Sequence, residues 1–242
     1  MSDAHESRRP VIAELREAFH QNRDLERLRS LWSQAPGATL DLGTGAGRIA
    51  LALAGFGVAV IGIDLDAFAI EAARRRATER ALRVNFTAAD ARSYIADGRF
   101  SWIVACSFLE HIVADEDVER ILSNARAMLA PGGSMVLTLV LDAFRAGLIA
   151  ETRADRRIVM GAFCERIVEI KEIATDRVVY SLMYRAPTLS VEQRTELVLR
   201  LRTLSSFLEI VRASGFRVRQ SFDGTTGMEA TPLSPTAMFI LN

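Results

Sequence analysis

Cysteine is scarce in this chain of 242 residues: only Cys106 and Cys164 occur. Two thiols without metal-ligand spacing exclude a disulfide framework and a structural zinc site, and they suit a reducing compartment. No uninterrupted apolar run approaches the roughly 20 residues of a membrane span, which excludes the bilayer as a partner. The first residues, Met1 to Arg9, are polar and lack the apolar stretch of a secretory signal, so a cytoplasmic location is expected. Charge of one sign is also missing, since 30 Lys and Arg balance 30 Asp and Glu. Without a global positive field, nucleic acid is not an expected partner. Lys171 is the only lysine, which a coding bias explains better than function, and Arg74-Arg75-Arg76 reads as a solvated helix face. What is plentiful is apolar surface, at 50% of residues. Dividing length by roughly 150 allows one or two domains; one domain over 1–242, with an elaboration, is expected.

The informative segment is Leu40-Asp41-Leu42-Gly43-Thr44-Gly45-Ala46-Gly47, followed by Gly62-Ile63-Asp64. Ala38 to Leu42 is short and apolar like a buried strand, and Arg48 to Gly55 carries helix formers, so the glycines stand at a strand-to-helix turn. A side chain there would block close approach of a ligand, and free amides at a helix start orient polar ligand groups. The next apolar run, Val58 to Ile63, ends in Asp64. About 20 residues from glycine turn to acid is the spacing at which a carboxylate grips ribose hydroxyls. A dinucleotide fingerprint needs a third glycine where Arg48 stands, so G-x-G-x-G disfavours NAD.

Strand and helix patterns then alternate, as in a parallel sheet covered on both faces. A helical segment spans about Pro10 to Trp32 and stops at Pro36-Gly37. Helix is expected over Ala67–Ala81 and Asp115–Leu129, and strands over Arg83–Thr87, Phe100–Ser107 and Ser134–Leu141. Three period-two stretches follow, Arg166–Ile173, Arg177–Arg185 and Arg194–Thr203, predicting three antiparallel strands within residues 160–203. This inserted sheet is expected to cover the site, form a homodimer surface, or both. A helix over Leu204–Ser214 and strands at Phe216–Phe222 and Ala237–Leu241 finish the chain.

The glycine turn with its acid resembles motif I and the second-strand acid of the class I S-adenosylmethionine-dependent methyltransferases. The resemblance implies an α/β, Rossmann-like sheet of seven mostly parallel strands with the last antiparallel. It divides the domain into an N-terminal helical segment (1–36), a cofactor-binding core (37–142), the insert (160–203) and a C-terminal part of the core (204–242). It also implies that Asp41, Gly43, Thr44, Gly45 and Gly47 wrap the methionine portion and ribose of the cofactor. Asp64 would then hold the ribose diol beside Leu65. Asp90 would accept from the adenine amine, with the amide of Ala91 near the ring, and Cys106 would offer its carbonyl to the methionine amino group.

Ser107-Phe108-Leu109-Glu110-His111 follows the fourth strand. It lacks the Asn or Asp with Pro-Pro and an aromatic that base methylation uses, and it lacks an acidic cluster for Mg²⁺, so no metal is expected. His111 is the expected acid or base, with Glu110 a weaker candidate, because imidazole titrates near neutrality. Alignment of nucleophile, methyl and sulfur should supply most of the rate. Phe108, Phe144, Phe163, Tyr180 and Tyr184 are candidate walls for a small organic acceptor, about two of which are expected to touch it. Methyl transfer to N or O is the expected reaction, carbon staying open. A cofactor-binding protein that transfers no methyl, such as a cyclase or scaffold, and an NAD-dependent oxidoreductase are the alternatives.

Overall fold

In the computed structural model, residues 9–19, 23–148 and 152–242 are described. The polar stretch Met1–Arg8 read above lies outside them. Two helices open the chain, α1 (Arg9–Ala18) and α2 (Arg23–Gln34), where one helical segment was expected. Strand β1 (Thr39–Leu42) follows, buried at every residue because helices cover both of its faces. Then come α3 (Arg48–Ala54), β2 (Val60–Asp64), α4 (Ala67–Glu79), β3 (Asn85–Ala88) and β4 (Phe100–Ala105). Asp66 caps α4, its carboxylate accepting from the amide of Phe68 at 2.9 Å, so the helix begins three residues after Asp64.

A single 3-10 turn, Leu109–His111, leads into α5 (Asp115–Met128), whose first turn holds Asp115, Glu116 and Asp117 at the positive end of the helix dipole. Strand β5 (Leu129–Val140) carries Gly132 at φ 77°, a left-handed residue at its irregular start. The remaining elements are β6 (Arg153–Val159), β7 (Ala162–Ile173), β8 (Arg177–Ala186), β9 (Val191–Arg200), α6 (Leu204–Ala213), β10 (Val218–Asp223) and β11 (Thr236–Leu241).

Seven strands form the main sheet in the order β10-β11-β5-β4-β1-β2-β3. The five from β5 to β3 run parallel, and β11 runs antiparallel to both β5 and β10, as expected for the last strand. Helices α5 and α6 cover one face with Val118, Leu122, Phe207 and Val211, while α2, α3 and α4 cover the other. On that second face Trp32 and Trp102 lie 4.6 Å apart and spend their indole N–H groups on Thr39 Oγ1 and the Ala35 carbonyl.

The insert has four strands, order β6-β7-β8-β9, all antiparallel, where three were expected. Strand β6 was missed because it is an edge strand with a largely exposed, polar sequence and no alternation to read. Strand β9 also begins at Val191 and ends at Arg200, three residues earlier than the pattern suggested, because Leu201 and Arg202 are drawn into the core ahead of α6. Helix α1 packs between the two sheets. Its Ile12, Leu15 and Phe19 meet Cys164, Tyr184 and Val191 of the insert, while Ala13 meets Ala69 and Ala72 of α4.

Candidate active site

At the end of β1 the backbone turns through Gly43 (φ 68°), Gly45 (φ 55°) and Gly47 (φ 82°). Three left-handed residues in five explain the glycine spacing, since a Cβ would strain each of them. Gly43 also lacks space: a Cβ would stand 2.4 Å from the Phe108 ring. Between the glycines, Thr44 donates its hydroxyl to Asp41 Oδ2 at 2.6 Å and its amide to the Ile63 carbonyl at 2.9 Å. The Gly45 amide donates to Asp64 Oδ2 at 2.8 Å, and the Asp66 amide to Asp64 Oδ1 at 2.9 Å. Turn and acid, 19 residues apart, therefore form one unit. Burial pushes the Asp64 carboxyl above its ordinary pKa, while the amides of Asp66 and Gly45 pull against that shift.

Asp41, Gly43, Thr44 and Cys106 line one narrow cavity with Arg48, Ile49 and Ser107. Arg48, in the place of a third dinucleotide glycine, is clasped by both carboxylate oxygens of Asp24 at 2.7 and 2.8 Å. The Cys106 thiol is buried, which raises its pKa well above the ordinary value, so it is chemically quiet. On one side, Leu65 lines an opening of about 540 Å³ roofed by Arg16 of α1 and Gln193 of β9. Asp90 and Ala91 stand beyond the end of β3 and line neither opening. The Asp90 carboxylate is held by Arg92 at 2.6 Å, which keeps its pKa below the usual range.

On the other side lies a cleft of about 850 Å³, which shares Ser107 with the narrow cavity. Its walls include Asp24 and Arg27 of α2, Thr138 of β5, Phe144 and the loop after Asp223. The Ser234 hydroxyl and the amides of Thr226 and Thr225 hold the Asp223 carboxyl down at about 2. Of the five aromatic residues read as acceptor walls, Phe144 alone lines this cleft; Phe108 packs on Gly43, Phe163 is exposed, and Tyr180 and Tyr184 are buried on strand β8 of the insert. Glu110 lines the cleft and His111 does not. His111 is exposed as a residue but sets its ring against β9; loss of water there lowers its pKa, and a hydrogen bond to the Val198 backbone opposes this. Helix α2 and the C-terminal loop carried no chemical signature in the sequence, so Arg27 and the residues after Asp223 could be found only in the fold.

Residues 39–133 match the model of a family described as a methyltransferase domain. The fold agrees. A methyltransferase from Clostridium acetobutylicum described as S-adenosylmethionine-dependent superposes over 99% of both chains with a TM-score of 0.77 at 12% identity. CalS10, an amino pentose methyltransferase from Micromonospora echinaspora, covers 96% of this chain and 95% of its own with a TM-score of 0.69 at 20% identity. Residues 39–133 are therefore similar to a methyltransferase domain in sequence, and the chain shares its fold with methyltransferases of known structure. Among curated proteins, a ubiquinone biosynthesis O-methyltransferase of Coxiella burnetii is 32% identical over 117 residues, 48% of this chain and 49% of the relative. The chain spans about half the length of the curated relatives it matches. The matched segment contains the glycine turn, Asp64, Asp90, Cys106, Glu110 and His111, whereas Arg27, Thr138, Phe144 and the loop after Asp223 lie outside it. The glycine turn and Asp64 thus lie inside the matched segment, and most of the residues that line the large cleft lie outside it.

Proposed function

We propose that this chain transfers a methyl group from S-adenosylmethionine to nitrogen or oxygen of a small organic acceptor. The observation that carries the reading is the hydrogen bond from the Gly45 amide to the Asp64 carboxylate, beside a narrow cavity that opens through Ser107 to a cleft of small-molecule size. Gly43 supports the same fit, because it lines that cavity in a left-handed conformation that keeps the backbone bare. When bound, the cofactor supplies a methyl group already activated on a sulfonium.

In this reading Asp64 holds the ribose hydroxyls and Leu65 lies against the adenine. Asp90, with Ala91, receives the adenine amine. The turn from Asp41 through Gly43, Thr44, Gly45 and Gly47 holds the methionine portion, with the Cys106 carbonyl facing its amino group. The chain's main contribution is alignment of the acceptor with the methyl group, so proximity supplies most of the rate. The Coxiella relative is named for O-methylation in ubiquinone biosynthesis and the Micromonospora structure for an amino pentose, and both names support a small acceptor.

Calorimetry with S-adenosylhomocysteine and with NAD⁺ tests the reading. Binding of the first and not the second is expected. The reverse result would reinstate an oxidoreductase. Product mass then separates transfer, which adds 14 mass units per methyl group, from binding alone.

A further inference from the structure

Glu110 is 4% exposed, yet its Oε2 has no hydrogen-bond partner and it stands on the wall of the large cleft. Buried carboxylates that serve only structure are ordinarily satisfied on both oxygens, because an open one costs free energy. The nearest compensating charge is Arg202, itself 2% exposed. Its guanidinium is already spent: Nε donates to Asp115 Oδ1 at 2.8 Å, Nη2 to the Ile112 carbonyl at 2.8 Å and Nη1 to the Leu109 carbonyl at 3.3 Å. Arg202 therefore attracts Glu110 at a distance without closing its free oxygen.

The other charged groups around the cleft are committed too. Asp24 is bound by Arg48, Arg27 lies 4.1 Å over the Phe222 ring, and Asp223 accepts from the amides of Thr225 and Thr226. His111, next in the chain, faces Arg16 and Val198. Among the described residues that line the cleft, Glu110 carries the one buried side-chain oxygen without a hydrogen-bond partner, three residues after Ser107, which lines both the narrow cavity and the cleft.

We infer that the acceptor is an amine, and that the carboxylate of Glu110, buried and incompletely hydrogen-bonded at the cleft wall, binds its ammonium group and takes a proton from it. This rests on the reading of the site as a methyltransferase. An ammonium ion brings both the N–H donors that the open oxygen lacks and the positive charge that a buried carboxylate lacks; a neutral hydroxyl brings only the first. In the step, one N–H proton passes to Glu110, and the freed lone pair forms the C–N bond as the C–S bond breaks and its electron pair returns to sulfur. The methylated nitrogen carries the positive charge away, and Glu110 returns its proton to water through the open cleft. Burial pushes the Glu110 carboxyl up to about 7, which places its basic form and its proton-accepting strength together near neutral pH.

Two measurements on the full chain test this. Infrared titration of the free protein should show a protonated carboxyl band that disappears as pH rises through about 7 and is missing from Glu110→Gln. Radiolabelled methyl transfer should then be followed to an aminohexose and benzylamine, and to their hydroxyl counterparts, a hexose and benzyl alcohol. Label is expected on the amines, with kcat/KM rising toward pH 7. Glu110→Gln should bind S-adenosylhomocysteine normally yet lose roughly 10²–10⁴-fold in kcat together with the pH-dependent limb. Label on the hydroxyl compounds alone, label on none of the four, a limb that survives in Glu110→Gln, or a limb that vanishes in His111→Ala instead would each overturn the assignment. Failure of the wild-type chain to bind S-adenosylhomocysteine would instead remove the methyltransferase reading beneath it.

Discussion

Both carboxylate oxygens of Asp64 accept from backbone amides, so this side chain is fixed before any ligand arrives. Its removal should therefore cost affinity rather than fold. Asp64→Ala is expected to weaken S-adenosylhomocysteine binding about 10- to 100-fold by calorimetry, the worth of charge-assisted hydrogen bonds at roughly 1.5–3 kcal/mol. Gly43 tests the turn itself. Gly43→Ala meets both a left-handed φ and the Phe108 ring, and should lose about 1–3 kcal/mol in chemical denaturation. Adding Phe108→Ala should return only the steric part, because the backbone strain stays. At Glu110 the sign runs the other way. Its folded pKa of about 7 stands above the ordinary carboxyl value of 4.5, so the native state binds more protons between those limits and stability falls as pH rises through them. Glu110→Gln should remove that fall and melt above the wild type at pH 8, with about 3 kcal/mol as the upper bound. Equal melting temperatures at pH 8 would show that the carboxyl is not held high.

At the scale of elements, legibility followed how strongly each segment is patterned. The stretch from β1 to α4 was readable because its strands are apolar, its turn is glycine-rich and Asp66 caps the following helix. Strand β6 was not readable. Arg153–Val159 alternates no apolar face toward a core, and pairing with β7 alone makes it a strand. The later end expected for the last insert strand came from counting alternation through Leu201 and Arg202, residues that are buried for a different reason: Arg202 ties the 3-10 turn to the start of α5. The cap of α6 is a local device of the same kind as Asp66. The Thr203 hydroxyl accepts from the Ser206 amide at 3.0 Å, so Thr203→Ala should cost about 1 kcal/mol in chemical denaturation.

At the scale of the whole molecule, α1 joins the main sheet's α4 to the inserted sheet. Leu15 is fully buried in that junction, and Phe19 lies 6.2 Å from Tyr184 with Arg157 and Arg166 near its ring. Leu15→Ala should cost about 2–5 kcal/mol, and hydrogen exchange should quicken in β7 and β8 before the main sheet. Local spacing by itself determined the alternating fold, the glycine elbow and the acid that meets it, because a left-handed turn and an apolar strand leave marks within a few neighbouring residues. It also named Glu110 and His111 as a pair but ranked them by their ordinary pKa values. Only the tertiary structure distinguished their surroundings. Burial, the commitment of Arg202 to other partners and the approach of α2 and the C-terminal loop are long-range facts, and they put Glu110 on the cleft with an open oxygen while His111 turns toward β9.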